Sequence, residues 1–181
     1  IQIKGQYPDA NLIVCWDDKQ SWRKKLCPIY KSNRSNAKDA YSRQIYDLVV
    51  FTKAAGISQS IYPEYEADDV IGSLSSRDET VIYSRDKDFC QLVTDRIKLH
   101  SPGTSSIADM IYDSEAVYQK FGVTPSKLLL FRSLRGDPSD TLPGLNRFPT
   151  KKIIDLVEKF SSLDEIYENI NSLSLTKNQI Q

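Results

Sequence analysis

Two short apolar runs, each ending beside an acidic residue, constrain the fold of this chain more than any other feature. Asn11-Leu12-Ile13-Val14-Cys15-Trp16 leads directly into Asp17, and Thr80-Val81-Ile82-Tyr83 stops just before Asp86. Runs this short and this apolar, without polar alternation, read as buried strands of the parallel type. Open α/β sheets place their sites outside the carboxyl ends of their strands, and that is where both acids fall. The pattern predicts an α/β fold, with a mostly parallel sheet flanked by helices.

Further acids follow in short clusters: Glu66, Asp68 and Asp69 in EYEADDVIG, Asp86 and Asp88 in YSRDKDFCQLV, Asp137 and Asp140 in LRGDPSDTLPG. Carboxylates repel one another, so such a set needs cations, and hard divalent ions such as Mg²⁺ prefer oxygen ligands. If the clusters converge, they suit two-metal hydrolysis of a phosphodiester. Water is then the nucleophile, since no Ser-His or Cys-His pairing stands out. Taken singly, each acid also reads as an ordinary strand end, helix cap or turn residue.

Local geometry sharpens these expectations. Asp86 and Asp88 point to one side in an extended turn and splay apart in a helix. Glu66 to Leu74 reads as a helix start, with acid at the positive end of the dipole and Val70, Ile71 and Leu74 inward. On a continuous helix Glu66 shares a face with Asp69 but not with Asp68. Joint ligation by Glu66 and Asp68 therefore requires Glu66 to lie in the preceding loop.

Elsewhere the chain alternates helix and strand signals. A helix is expected over 39–55, with Ile45, Leu48, Val49 and Thr52 on one face and Gly56 as its stop. Phe89, Leu92 and Val93 form the inward face after the Asp-Lys-Asp turn, and Ile97 to His100 reads as a strand. His100, the sole histidine, suits a structural role. Asp113 caps a helix ending at Gly122, and Thr124-Pro125 opens the next. That helix carries Leu128, Leu129, Leu130, Phe131 and Leu134, and is expected to be buried round much of its surface. Thr150 opens another helix, and Ser162 with Glu165 has capping-box spacing.

Composition excludes little. Lys plus Arg equals Asp plus Glu at 24 each, so net charge neither points to a nucleic acid nor rules one out. Cys15, Cys27 and Cys90 show no metal-ligand spacing and read as reduced thiols. No apolar stretch approaches a membrane span. Residues 18–38, rich in Lys, Arg, Ser and Asn, read as a basic loop.

In order along the chain, VCWDD, Ser21-Trp22-Arg23, Tyr30-Lys31-Ser32-Asn33-Arg34, EYEADDVIG, SRDKDFCQLV and GDPSDTLPG resemble the signatures of the 5′ nuclease superfamily. That group includes phage flap endonucleases and the 5′→3′ exonuclease domains of bacterial DNA polymerase I. The match keeps its order and spacing from about Asn11 onward. The resemblance implies a PIN-like metal-dependent nuclease domain over 1–124, with a basic arch at about 18–38. It implies a helix-hairpin-helix-type DNA-binding element over 125–181.

The same resemblance implies two Mg²⁺ ions, replaceable by Mn²⁺. Their ligands would be Asp17, Glu66, Asp68, Asp69, Asp86, Asp88, Asp137 and Asp140, with Asp69 steering waters or a basic neighbour from behind. Lys31 and Arg34 would neutralise the scissile phosphate. Arg23, Lys31, Arg34, Arg147, Lys151 and Lys152 would grip DNA. Substrates would be 5′ flaps, nicks, single-strand/duplex junctions and RNA–DNA hybrids, in the cytoplasm of a bacterial or phage-infected cell, with a polymerase as associate and no membrane.

Two departures temper that expectation. Superfamily members open with a strand bearing a further metal-binding Asp, which nothing after Ile1 matches, so the chain reads as lacking an N-terminal segment. The glycine-rich hairpin expected after Pro143-Gly144 is replaced by Leu145-Asn146-Arg147-Phe148-Pro149. Pro149 has no amide to donate, and Phe148 resists the positive φ that Gly accepts. Arg147, Lys151 and Lys152 would then grip phosphates as side chains. The alternatives are a catalytically silent DNA-structure-binding module, or a PIN-like ribonuclease preferring single-stranded RNA.

Overall fold

A computed structural model describes residues 2–33, 39–76, 78–146 and 148–173. The chain divides into two compact units, Ile1–Ser73 and Leu74–Gln181.

The first unit opens with α1 (Gln2–Gln6), β1 (Ile13–Cys15) and α2 (Trp22–Leu26). It continues through α3 (Asp39–Ala54), β2 (Ser58–Ser60) and the start of α4 (Ala67–Ser75). Strands β1 and β2 pair in parallel, Ile13 opposite Ser58 and Cys15 opposite Ser60. Gln59 ties sheet to helix: its side-chain amide donates to the Val49 carbonyl at 3.1 Å and its oxygen accepts from Trp16 Nε1 at 2.7 Å. Gly56 follows α3 at φ +69°, the left-handed turn that stops a helix. The apolar face of α3 is only partly covered. Ile45, Val49 and Thr52 are half-buried, while Leu48, on the same face, is 49% exposed.

The second unit holds β3 (Thr80–Tyr83), β4 (Ile97–Ser101) and β5 (Met110–Tyr112). Its helices are α5 (Ser114–Phe121), α6 (Pro125–Arg135), α7 (Thr150–Lys159) and α8 (Leu163–Glu168). Strand β4 pairs in parallel with β3 and antiparallel with β5, so the architecture is mixed α/β with parallel pairing predominant. Asp113 caps α5 by accepting from the Ala116 amide at 2.9 Å, worth about 1 kcal/mol. Gly122 closes that helix at φ +74°.

The core of this unit gathers Leu99, Val117, Val123, Leu128, Phe131 and Val157, all nearly inaccessible to water. Helix α6 buries Leu128, Phe131 and Leu134 but leaves Leu129 62% exposed. It is amphipathic rather than enclosed, because α5 and α7 cover only part of it. Ser162 caps α8 through the Glu165 amide at 3.1 Å. Glu165 answers to the Ser161 amide at 2.7 Å, one residue before the position a strict capping box uses. No helix among the described residues is long and apolar enough to cross a membrane.

Candidate metal and nucleic-acid site

In the first unit the acids gather about the N-terminus of α4. Strand β1 ends two residues before Asp17, whose Oδ1 accepts from the Ala67 amide at 2.7 Å. Next to it, Asp18 Oδ2 accepts from the Glu64 amide at 2.7 Å. These backbone contacts, the Glu64 amide foremost, hold the Asp18 carboxyl below its usual range. Together they strap the loop before α4 onto the end of β1. Glu66 lies just before the helix, as joint ligation with Asp68 requires, and Asp68 is exposed in the first turn.

Glu66 is 7% exposed and is held from one side by two consecutive residues. Tyr30 Oη donates to Glu66 Oε2 at 2.9 Å and Lys31 Nζ to the same oxygen at 2.7 Å. Burial opposes charge on Glu66, yet the bonds from Lys31 and Tyr30 prevail and its pKa is lowered. Burial likewise opposes charge on Lys31, and its contacts with Glu66 and Tyr30 raise its pKa regardless. The Tyr30 phenol is pushed up to about 12, chiefly by burial. Lys31 takes φ +54°, a conformation uncommon for a side-chain-bearing residue.

Asp69 is clasped by both terminal nitrogens of Arg23 at 2.6 and 2.7 Å, a bidentate fork of the kind arginine favours. That hydrogen bonding, first of all, lowers the Asp69 pKa. Arg23 therefore joins α2 to α4, with its guanidinium over the Trp22 ring at 4.8 Å.

In the second unit the Ser84–Asp88 turn leaves β3. Asp86 Oδ1 accepts from the Asp88 amide at 2.8 Å, which folds the two acids into a tight turn at the head of a 3₁₀ segment, Asp88–Leu92. Phe89 and Cys90 anchor that segment in the core. Lys87 turns inward, donating to Ser101 Oγ at 2.5 Å and the Arg85 carbonyl at 3.0 Å. Burial is the main reason its pKa is lowered. Arg85 grips the Pro102 and Gly103 carbonyls at 3.2 and 2.7 Å.

At the end of α6, Asp137 Oδ1 accepts from the Ser139 amide at 2.8 Å and the Ser139 hydroxyl at 2.6 Å. The backbone of Asp137 pairs with Leu142 at 2.8 and 2.9 Å. Gly136 and Gly144 allow this loop to close: a Cβ on Gly144 would lie 1.9 Å from the Arg135 carbonyl oxygen. Asp140 is half-buried in the 3₁₀ turn Pro138–Asp140.

Arg34 and Arg147 lie outside the described residues. Lys151 and Lys152 are exposed in the first turn of α7, where Pro149 is the N-cap. His100 is buried and bonded through Nε2 to Asp109 Oδ2 at 2.8 Å, as a structural residue would be.

Sequence reasoning missed four contributors: Tyr30 through its bond to Glu66, the supports Arg85 and Lys87, and Arg132. The last contacts Asp88 and approaches Asp137 Oδ2 at 3.5 Å. Its position near the end of a helix, five residues before Asp137, was the available signal. Among the described residues no three His, Cys, Asp or Glu side chains are drawn close enough to hold a metal ion. The donors are nonetheless all carboxylate oxygens, which fit Mg²⁺ or Mn²⁺ in kind.

A profile of the family described as "5'-3' exonuclease, N-terminal resolvase-like domain" matches residues 1–122. A 5'-3' exonuclease of Buchnera aphidicola is 36% identical over 168 residues, spanning 90% of this chain. The chain in turn spans 57% of that relative's length. DNA polymerase I of Mycobacterium tuberculosis is 33% identical over 162 residues, covering 86% of this chain and 18% of the polymerase. The bacteriophage T5 D15 flap endonuclease, solved with DNA and metal ions, superposes with a TM-score of 0.81 at 18% identity. That alignment covers 99% of this chain and 71% of the phage protein, and shows a shared fold.

Proposed function

As the chain belongs to the 5'-3' exonuclease, N-terminal resolvase-like domain family, we propose that it hydrolyses phosphodiester bonds at or near 5′ ends of DNA, with Mg²⁺ as cofactor. The observation that carries this reading is Glu66, a buried carboxylate kept ionised beside Asp17, Asp68 and Asp69 at one helix start. A buried ionised acid is costly unless compensated, and Glu66 stands in sequence and backbone contact with three further acids around one helix start, a set of oxygen donors that suits a cation in kind.

Asp17, Glu66, Asp68 and Asp69 in one unit, and Asp86, Asp88, Asp137 and Asp140 in the other, are the proposed ligands of two ions. Bound there, the ions would supply an activated water and stabilise the charge of the leaving oxygen. The chain's own residues do the rest. Tyr30 and Lys31 orient Glu66, and Arg23 orients Asp69. Lys31 and Arg34 neutralise phosphate charge as the bond breaks. Arg23, Arg147, Lys151 and Lys152 hold the DNA backbone, an interaction that salt weakens. Residues 1–124 act as the nuclease and 125–181 as a helix-hairpin-helix-type grip on duplex.

Substrates under this reading are flaps, nicks, junctions and RNA-primed ends, met in the cytoplasm of a bacterial or phage-infected cell, with polymerase association. Support for DNA comes from the T5 flap endonuclease complex, and for a polymerase link from the M. tuberculosis polymerase. A 5′-labelled flap duplex incubated with the protein should be cut in Mg²⁺ and spared in EDTA. A silent DNA-binding module is the second reading, favoured by the Arg23 fork on Asp69. It predicts binding with no product at any Mg²⁺ or Mn²⁺ concentration.

A further inference from the structure

Arg132 occupies a position that the proposed chemistry does not require and partly opposes. It projects from the last turn of α6, whose neighbours Leu128, Phe131 and Leu134 lock the helix into the core. The negative end of the helix dipole favours a cation there. Its Nη2 donates to Asp88 Oδ1 and lies 3.5 Å from Asp137 Oδ2. Ser139 already occupies Asp137 Oδ1 twice, so Oδ2 is the oxygen left for a ligand, and it faces the guanidinium.

Two of the proposed ligands of one ion thus already share a permanent positive charge. A guanidinium does not lose its proton at accessible pH, so acidity or alkalinity cannot clear it. A divalent ion at Asp88 and Asp137 must either displace Arg132 or settle beside it, and like charges repel in either arrangement. We infer that Arg132 is a built-in counter-ion that weakens divalent-ion binding at Asp88 and Asp137, and so raises the metal concentration at which that site fills. The inference rests on the proposed function in taking those two carboxylates as metal ligands. It concerns a residue outside the proposed catalytic set.

The test is Mn²⁺ binding to the full chain, read as loss of the free-ion signal in electron paramagnetic resonance. Arg132→Gln should bind its weaker Mn²⁺ about tenfold more tightly than wild type, equivalent to about 1.4 kcal/mol. Arg132→Lys keeps the charge on a different, more flexible head group, and should show a smaller gain in the same direction. Arg135→Gln, which removes the same charge from the same helix, should bind as wild type does.

In the double variant Arg132→Gln/Asp88→Asn the gain should vanish. Circular dichroism establishes that each variant is folded, and the Lys variant decides the matter should the Gln variant fail to fold. Unchanged or weaker Mn²⁺ binding in Arg132→Gln would overturn the inference, as would an equal gain in Arg135→Gln. Absence of saturable binding in every protein would overturn it too, and the metal ligands with it. Flap cleavage separates the two ideas: no cleavage by the wild-type protein in Mg²⁺, with the Mn²⁺ shift retained in Arg132→Gln, removes the function and leaves the counter-ion.

Discussion

Lys31 donates to Glu66 Oε2 at 2.7 Å, and both side chains are largely withdrawn from water. The pair joins a residue expected to meet DNA phosphate to one expected to meet metal, and Tyr30 closes on the same oxygen. The basic residue is therefore held in place by the acid beside it.

Removing one partner should expose that dependence. Lys31→Met leaves Glu66 buried with Tyr30 as its remaining side-chain donor in this trio. It should lower stability by about 3 kcal/mol, the low end for a broken buried pair. Glu66→Gln in the same background should recover much of the loss. Urea denaturation in EDTA measures both, and an undiminished stability of Lys31→Met would contradict the geometry.

The same pair sets a pH dependence. The pKa of Glu66 is lowered in the folded protein, so the folded state binds its proton less readily than the unfolded chain does. The stability this contributes is fully present above the unfolded carboxylate pKa, about 4.3. It is lost as pH falls through the lower folded value. Glu66→Gln should therefore flatten the acid limb of a metal-free stability curve while leaving its neutral limb parallel to wild type. Identical acid limbs would contradict the assignment.

Cys90 is fully buried, and burial pushes its thiol up to about 11. A thiol that is both buried and protonated is inert. At neutral pH a thiol-specific chromogenic reagent should label Cys15 and Cys27, which are half-buried, and reach Cys90 only on denaturation. Rapid labelling of Cys90 in the native protein would show that the 3₁₀ segment Asp88–Leu92 is not anchored as described.

Gly144→Ala should disrupt the loop that carries Asp137 and Asp140. Its new Cβ would collide with the backbone carbonyl of Arg135, an atom that cannot swing aside. A loss of about 2 kcal/mol is expected, within the range for named steric mechanisms. Gly56→Ala meets no such neighbour and pays only for its left-handed backbone, so it should cost less in the same denaturation assay.

Features fixed by neighbouring residues were legible in the sequence. Strand β3 falls on Thr80–Tyr83, and α5 runs from its Asp113 cap to its Gly122 stop, because caps and stops act within a turn. Whether Glu66 belonged to the helix or to the loop before it stayed open in the sequence, and the structure starts the helix one residue later, at Ala67. The expected burial of Leu129 failed because periodicity marks an apolar face without revealing how much of it another element covers. Pairings across long stretches of chain were not readable either. Tyr30 and Glu66 are 36 residues apart, and Asp88 and Arg132 are 44. Such partners are chosen by packing, which no local pattern encodes.

The most direct test of the account is Asp86→Asn, compared with wild type on a 5′-labelled flap duplex. Cleavage is followed in Mg²⁺ and binding in Ca²⁺. The substitution removes one carboxylate charge from the Ser84–Asp88 turn while leaving an oxygen to accept from the Asp88 amide. The account predicts metal-dependent cutting by wild type, none by the variant, and DNA binding in the variant that is equal or tighter because a repulsive charge is gone. Wild-type turnover by Asp86→Asn would contradict the assignment of these carboxylates to the metal site.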